Sequence, residues 1–190
     1  MKNSADQFVP EEIELILDSY DDIFSDFDPR PYHVRSLSHD FLLEAKRATY
    51  DKLTSEIVLK FIIPKRIRNV IHEVLIEKRL KQHFMKHFQE HSRELRSLKR
   101  TGLILVLFGA LLMFFSYLLY SETLPLNTVL RHLLLVISEP GGWFLFWIGG
   151  EKFVYGVRDN RPDYEFYRKM SHSHITFNSI ESEALSPEHN

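Results

Sequence analysis

Five aspartates lie within eleven residues near the start of the chain and are the first candidates for chemistry: Asp18, Asp21, Asp22, Asp26 and Asp28. A calcium loop of the EF-hand type needs acidic ligands at positions 1, 3 and 5, glycine at position 6 and glutamate at position 12. Counted from Asp22, positions 3 and 6 are phenylalanine and position 12 is histidine. The spacing therefore argues against a calcium loop.

The segment Asp18–Arg35, called the aspartate loop below, also carries aromatic residues and a Pro-Arg-Pro step. In one interpretation Phe24, Phe27 and Tyr32 pin an irregular loop onto a core, and the aspartates cap helix ends. In the other, the loop is a docking surface for a protein partner or for this protein's own basic segment. The candidate docking residues are Asp21, Asp22, Asp26, Asp28, Arg30 and Tyr32.

Three histidines are spaced four residues apart and should lie on one face of a helix: His83, His87 and His91. Imidazoles at this spacing can share a zinc ion, which makes these residues weak metal candidates. Three collinear histidines of one helix cannot all bind one ion, and no His-Glu-x-x-His pattern is present. A pH-dependent surface is a further possibility, because histidine titrates near neutral pH. Solvated side chains without a special role are the simplest interpretation.

Motifs that identify common enzymes are missing from the sequence. There is no Gly-rich phosphate loop, nucleophile elbow or dinucleotide fingerprint. Cysteine is absent, which excludes disulfides and thiol catalysis. The sequence therefore predicts a protein that is not an enzyme and has no cofactor or small-molecule substrate. A basic stretch without interleaved aromatics does not favour nucleic acid as a partner.

Two apolar segments predict a transmembrane hairpin, with spans at about 102–120 and 130–156. The first segment, Leu103–Tyr120, contains no charged residue and is long enough to cross a bilayer. The second contains Glu139-Pro140 near its middle. It forms either one helix with a proline bend, or an interfacial segment followed by a new helix capped by Ser138. Glu139 is the intramembrane polar candidate, because ionisable residues at membrane depth are often functional.

Basic residues flank both spans, while the connecting link carries none, which predicts that both termini are cytoplasmic in a multi-pass protein of the inner (cell) membrane. The basic collar consists of Arg93, Arg96, Lys99 and Arg100, and we expect it to face anionic lipid. The charge distribution agrees with this arrangement. Residues 1–44 carry eleven acidic residues against three basic ones, and residues 65–100 carry eleven basic residues against four acidic ones.

The predicted fold is α-rich, with a small α+β cytoplasmic domain beside the hairpin. Residues 10–20 follow a helical i, i+3, i+4, i+7 pattern, and a second helix begins after Ser38. A strand is predicted at 56–63, and because one strand cannot stand alone, 173–178 should pair with it or the strand should pair with its copy in a dimer. The domains are 1–100, the hairpin 101–157, and a tail 158–190 with a disordered end.

A long basic helix is predicted from Lys65 toward the membrane. Its early core face should consist of Ile67, Val70, Ile71 and Val74. Further along, an i+4 row should be buried. That row is Ile76, Leu80, Phe84 and Phe88.

Three stretches resemble a group of small, uncharacterised prokaryotic two-span membrane proteins. They are "DSYDDIFSDFDPRPY", "EIVLKFIIP" followed by "RIRNVIHEVLIEKRLKQHF", and "GGWFLFWIGGEKF" with "YEFYRKMSHSHITF". The resemblance implies an integral membrane protein with a cytoplasmic domain, and it implies no activity and no catalytic residues.

These observations favour a membrane-anchored cytoplasmic interaction or regulatory module that is oligomeric and binds the lipid bilayer, further copies of itself or a protein partner. The alternative is a small pore or transport component built from oligomerised hairpins. A metal-dependent enzyme is a second alternative, which would require the histidine row and the aspartates to converge.

Overall fold

The computed structural model describes residues 11–50, 52 and 57–180. The described chain is mostly helical and contains one small parallel sheet. It divides into two compact units, one built from the residues up to Phe88 and from Glu165 onward, the other from Gln89–Tyr164. The predicted disordered end at 181–190 lies outside the described residues.

The first unit contains a three-stranded parallel sheet of β1 (Glu11–Ile16), β2 (Ile57–Pro64) and β3 (His174–Ile180), in the order β1-β2-β3. The predicted pairing of the two later strands is confirmed, with Val58 opposite His174. The predicted first residue of β2, position 56, lies outside the described residues.

The prediction of a helix over 10–20 is wrong for the described residues 11–20, because Glu11–Ile16 form β1 and a short 3-10 helix follows at Tyr20–Ile23. Position 10 lies outside the described residues. Buried and exposed side chains alternate along this segment, as in a strand. Ile13 is buried, whereas Glu12 and Glu14 point outward and both pair with Lys60 of β2. An apolar residue flanked by acids fits a half-buried strand as well as one turn of an amphipathic helix. The neighbouring strand selects the extended form.

Three helices cover the inner face of the sheet. They are α1 (His39–Tyr50), the first part of α2 (Val70–Tyr120) and the later part of α4 (Val157–Ser171). α1 confirms the helix predicted after Ser38. Side chains from these helices and the alternate residues of β2 form one apolar core: Phe41, Ala45, Ile57, Leu59, Phe61, Ile63, Ile76, Leu80, Phe84, Phe166 and Met170.

The early core face predicted for the long helix is wrong at three positions. The helix begins at Val70 and not at the predicted Lys65, and Ile67 lies in a separate 3-10 helix at Lys65–Ile67. Val70, Ile71 and Val74 are exposed, and only Ile67 packs against the core. The i+4 row is confirmed for Ile76, Leu80 and Phe84, which are fully buried. Phe88, the last residue of the predicted row, is only partly buried. The buried face of the first turns is set by Glu73, whose carboxylate binds Tyr20 and Arg68, as described below.

The second unit contains the remainder of α2, the helix α3 (Thr128–Glu151), a π-helical turn at Lys152–Gly156, and the start of α4. Two helical segments are long and apolar enough to cross a membrane, Val70–Tyr120 and Thr128–Ser171. α3 begins at its cap Asn127 and continues through Pro140 without interruption. The interpretation with one helix is therefore confirmed, and a new helix starting at Ser138 is wrong.

Candidate functional site

The aspartate loop follows the carboxyl end of β1 and is fixed first by a capping box. Ser19 caps the 3-10 helix at Tyr20–Ile23, and a carboxylate oxygen of Asp22 accepts hydrogen bonds from the backbone N–H groups of Asp18 and Ser19 at 2.8 and 2.9 Å. A residue that satisfies exposed amides in this way stabilises the local turn. The Asp22 carboxylate is therefore occupied by hydrogen bonds within the loop.

A short antiparallel bridge closes the loop between Phe24 and Leu37. Within this closure, Asp28 binds the Arg30 guanidinium through both carboxylate oxygens, at 2.8 and 2.7 Å, and accepts the backbone N–H of Ser36 at 2.7 Å. The Arg30 guanidinium, followed by the Ser36 amide, holds the pKa of Asp28 well below its usual range. Asp28 and Arg30 thus act as an internal clamp.

Aromatic rings attach the loop to the core. Tyr32 stacks on the buried Phe24 at 5.1 Å between ring centroids and meets His72 edge-on at 5.2 Å. Arg35 lies over the Phe24 ring at 5.7 Å and forms an ion pair with Asp21. Two of the three predicted anchoring rings therefore pin the loop, as expected of an Ω-like loop packed by its own side chains.

A polar network around the buried side chains of Tyr20 and Glu73, which was not predicted, also stabilises the loop. The Tyr20 hydroxyl donates to Glu73 at 2.9 Å and accepts the backbone N–H of Asn69 at 2.8 Å. Arg68 binds both oxygens of Glu73 at 2.9 Å and, with the Tyr20 hydroxyl, lowers the pKa of the Glu73 carboxyl against the effect of burial. Asn69 directly before an apolar run is a helix-cap signal that marks the start of α2 in the sequence.

The tip of the loop differs from its base. Phe27 is 98% exposed, so the prediction that it pins the loop is wrong. Asp26 is also exposed and makes no side-chain hydrogen bond or ion pair within the described part of the chain. The clamped loop therefore presents one aromatic ring and one unused carboxylate to solvent.

The remaining predicted polar residues do not form a metal centre. Among residues 11–50, 52 and 57–180, no group of three or more His, Asp or Glu side chains could hold a metal ion. Asp21, Asp22 and Asp28 bind arginine or amide groups instead. His83 and His87 are neighbours in the first unit, with ring centroids 4.3 Å apart, and His87 stacks on Tyr167 at 5.1 Å. Burial, together with His87, Arg79 and Lys86, lowers the pKa of His83 to about 4.

In the second unit, His91 lies 3.7 Å from Glu94 on the same helix. The four residues of the basic collar are all exposed on α2, and none forms an ion pair within the described residues. Arg93, Arg96 and Arg100 share one face, because their spacing is i, i+3, i+7. The collar directly precedes the apolar part of α2.

A line of small residues joins α2 to α3 within the second unit. Gly102 faces Gly149, Gly109 faces Gly142, and the hydroxyls of Ser116 and Ser138 lie 2.7 Å apart. A Cβ built on Gly109 would lie 2.6 Å from the backbone nitrogen of Phe146. Only glycine permits this close approach of two helix backbones, as in small-residue contacts between membrane helices.

Glu139 follows Ser138 in α3 and is exposed.

No family model, curated protein or solved structure matches the chain. The function is therefore inferred from the chain's own geometry, in which two features stand out. They are the clamped loop with its exposed tip and the tightly packed apolar hairpin.

Proposed function

We propose that the protein is a membrane-anchored interaction module, in which the α2–α3 hairpin spans the inner membrane and the sheet-containing unit is cytoplasmic. The proposed spans contain the small-residue contact, and the exposed collar precedes the first of them, where it would attract anionic lipid headgroups. The proposed activity is binding of a protein partner, without catalysis.

The observation that carries the proposal is the exposure of Phe27 on a loop that the chain stabilises at many points. An aromatic ring that is 98% exposed is costly in water, yet such rings are typical anchors at protein interfaces. Asp28, Asp22 and Asp21 are engaged in holding the loop, so the ring is presented with little loss of entropy on binding. Asp26 beside the ring would select a partner with a basic rim.

A membrane surface is a poorer receptor for this tip. Phe27 could enter a lipid interface, but the neighbouring aspartates are repelled by the negative headgroups of the cytoplasmic leaflet. A protein pocket that is apolar at its centre and basic at its edge fits both features. The proposal therefore assigns the tip to a protein and the collar to lipid.

The experiment compares two exposed aromatic residues of the same unit. The full chain in nanodiscs is used to capture proteins, with Phe27→Ser and Asp26→Ala as test variants. Tyr50→Ser is the control, because Tyr50 is 83% exposed on α1. A partner that is lost with Phe27→Ser and weakened with Asp26→Ala, but retained with Tyr50→Ser, supports the proposal. Equal capture by all four proteins would refute the role of the tip.

The topology is tested separately, because the chain has no cysteine and single cysteines can be introduced cleanly. We expect Thr123→Cys, in the link between α2 and α3, to react with a membrane-impermeant maleimide in intact cells. Asp26→Cys should react only after permeabilisation. The reverse pattern would invert the proposed topology, and labelling of both sites in intact cells would reject the hairpin.

A pore built from several hairpins is the second candidate, and the position of Glu139 near the middle of α3 favours it. Liposomes containing the protein would then pass ions, and Glu139→Gln would reduce the flux. Absence of flux at every potential and pH tested would remove this candidate. The docking proposal does not depend on that result.

A further inference from the structure

Glu139 lies at the centre of a helix that is apolar enough to cross a membrane. α3 has 24 residues, so at 1.5 Å per residue Glu139 is about 17 Å from Thr128 and about 18 Å from Glu151. The carboxyl group makes no hydrogen bond or ion pair within the described residues. In a bilayer such a group is unfavourable against lipid tails unless another polar group faces it.

The surface around Glu139 contains suitable partners, but none of them is bound to it. An open groove of about 520 Å³ between α2 and α3 is lined by Met113, Ser116, Tyr117, Tyr120, Leu135, Glu139 and Trp143. Tyr117 and Tyr120 are strongly exposed. The groove therefore holds an acceptor, Glu139, and two hydroxyl donors, Tyr117 and Tyr120. The rest of the lining is apolar except for Ser116, whose hydroxyl is already hydrogen-bonded to Ser138.

This combination is self-complementary. In a two-fold symmetric contact the same patch is used by both copies, so a donor of one copy faces an acceptor of the other. Lipid tails would leave the carboxyl without a hydrogen-bond partner, whereas a second groove supplies tyrosine hydroxyls at the same level. The apolar lining of both copies is buried in the same contact.

We infer that a second copy of this chain covers the groove, with Glu139 of each copy accepting a hydrogen bond from Tyr117 or Tyr120 of the other. The inference rests on the proposed membrane anchoring, and it identifies the surface through which two copies of the protein associate. It does not depend on the aspartate loop. A failure at the loop and a failure at the groove are therefore distinguishable, provided that each variant still floats with liposomes.

The first test uses two adjacent positions of α3 in the cysteine-free chain. Trp143 lines the groove and is 57% exposed, whereas Phe144 is 62% exposed and turned about 100° around the helix. Trp143→Cys and Phe144→Cys are compared in liposomes under mild oxidation. We expect a covalent dimer from Trp143→Cys and little from Phe144→Cys. Equal cross-linking at both positions, or none at either, would overturn the inference.

The second test separates hydrogen bonding from apolar contact. Self-association is measured by energy transfer between labelled full-length chains diluted into lipid. Glu139→Gln keeps an acceptor and should associate as the wild type does, whereas Glu139→Leu should associate about tenfold more weakly. Association of Glu139→Leu that equals or exceeds that of the wild type contradicts the inference. Finding the chain as a monomer bound to a helix of a different protein would also contradict the inference.

Discussion

The hydroxyls of Ser116 and Ser138 form a 2.7 Å hydrogen bond, and both side chains are buried between α2 and α3. This pair lies in line with the contacts of Gly109 with Gly142 and of Gly102 with Gly149. The polar pair and the glycines have the same effect, because each removes side-chain bulk at the level where the helices meet. The helix pair should therefore be sensitive to single methyl groups at these positions.

Neighbouring glycines of α3 provide a matched pair for the first prediction. A Cβ on Gly149 would lie 2.6 Å from the backbone nitrogen of Val106, whereas a Cβ on Gly150 has nothing within 4 Å. Gly149→Ala should destabilise the hairpin by about 1–3 kcal/mol through overpacking, and Gly150→Ala should be neutral or slightly stabilising. Unfolding in detergent can be followed by fluorescence, since the chain has two tryptophans, Trp143 and Trp147. Equal losses would rule out a close contact at Gly149.

The clamp in the aspartate loop leads to a prediction with a defined pH dependence. The pKa of Asp28 is lowered in the folded state, so its contribution is complete above the ordinary carboxyl pKa and is lost as the pH falls below it. Asp28→Asn should speed amide exchange of Ser36 at neutral pH. The difference from the wild type should shrink on acidification below about pH 4. A difference that grows on acidification would contradict the assigned role.

The buried tyrosine gives a third prediction. Tyr20→Phe leaves the Asn69 amide without an acceptor and removes one donor from Glu73. We expect a loss of about 1–3 kcal/mol in the free energy of unfolding, because the buried Glu73 carboxylate loses a donor and the part-buried Asn69 amide loses its acceptor. Hydrogen exchange at the Asn69 amide should accelerate. Tyr50→Phe on α1 is the control, and a similar effect there would show that the network is unimportant.

Acid sensitivity of the first unit is the fourth prediction. The pKa of His83 is lowered to about 4, whereas an unfolded histidine titrates near 6.5. The unfolded state therefore binds more protons between these values, and stability should fall as the pH drops from about 6.5 to 4. Allowing for solvent screening, the loss is about 1–2 kcal/mol. His83→Phe should flatten the curve of urea midpoint against pH, and an unchanged slope would assign the acid sensitivity to other groups.

Elements that follow from local sequence signals were predictable, whereas contacts between distant segments were predicted in only one case, the pairing of β2 with β3. The start of α1 and the apolar segments follow from turn residues and composition. The pairing of β2 with β3 followed from the requirement that a lone strand needs a partner. β1 was missed because its parallel neighbour, Ile57 opposite Glu11, is remote in the chain. Val70 and Ile71 were misassigned because a glutamate does not normally occupy a core position.

The candidate site was also predictable only in part from the sequence. The acidic and aromatic composition of the loop suggested both a structural and a docking role, and the structure shows which residues hold the loop and which remain exposed. Asp21, Asp22 and Asp28 hold the loop, while Asp26 and Phe27 form its tip. No spacing rule distinguishes Asp26 from Asp28. The Ser36 amide binds Asp28, and it comes within hydrogen-bond distance only when the loop closes. The row of Gly102 and Gly109 would have been detectable as a seven-residue repeat of small residues.

The parallel pairing of β2 with β3 has a consequence for how the chain is made. All of α2, α3 and α4 lie between these two strands in the sequence, so both apolar segments leave the ribosome before β3 is available. Until then, β2 presents an unpaired edge on which other strands can assemble. Completion of the sheet is thus a late event in biogenesis, which follows synthesis of the hairpin. A chain stalled within α4 should be recognised by proteases as unfinished.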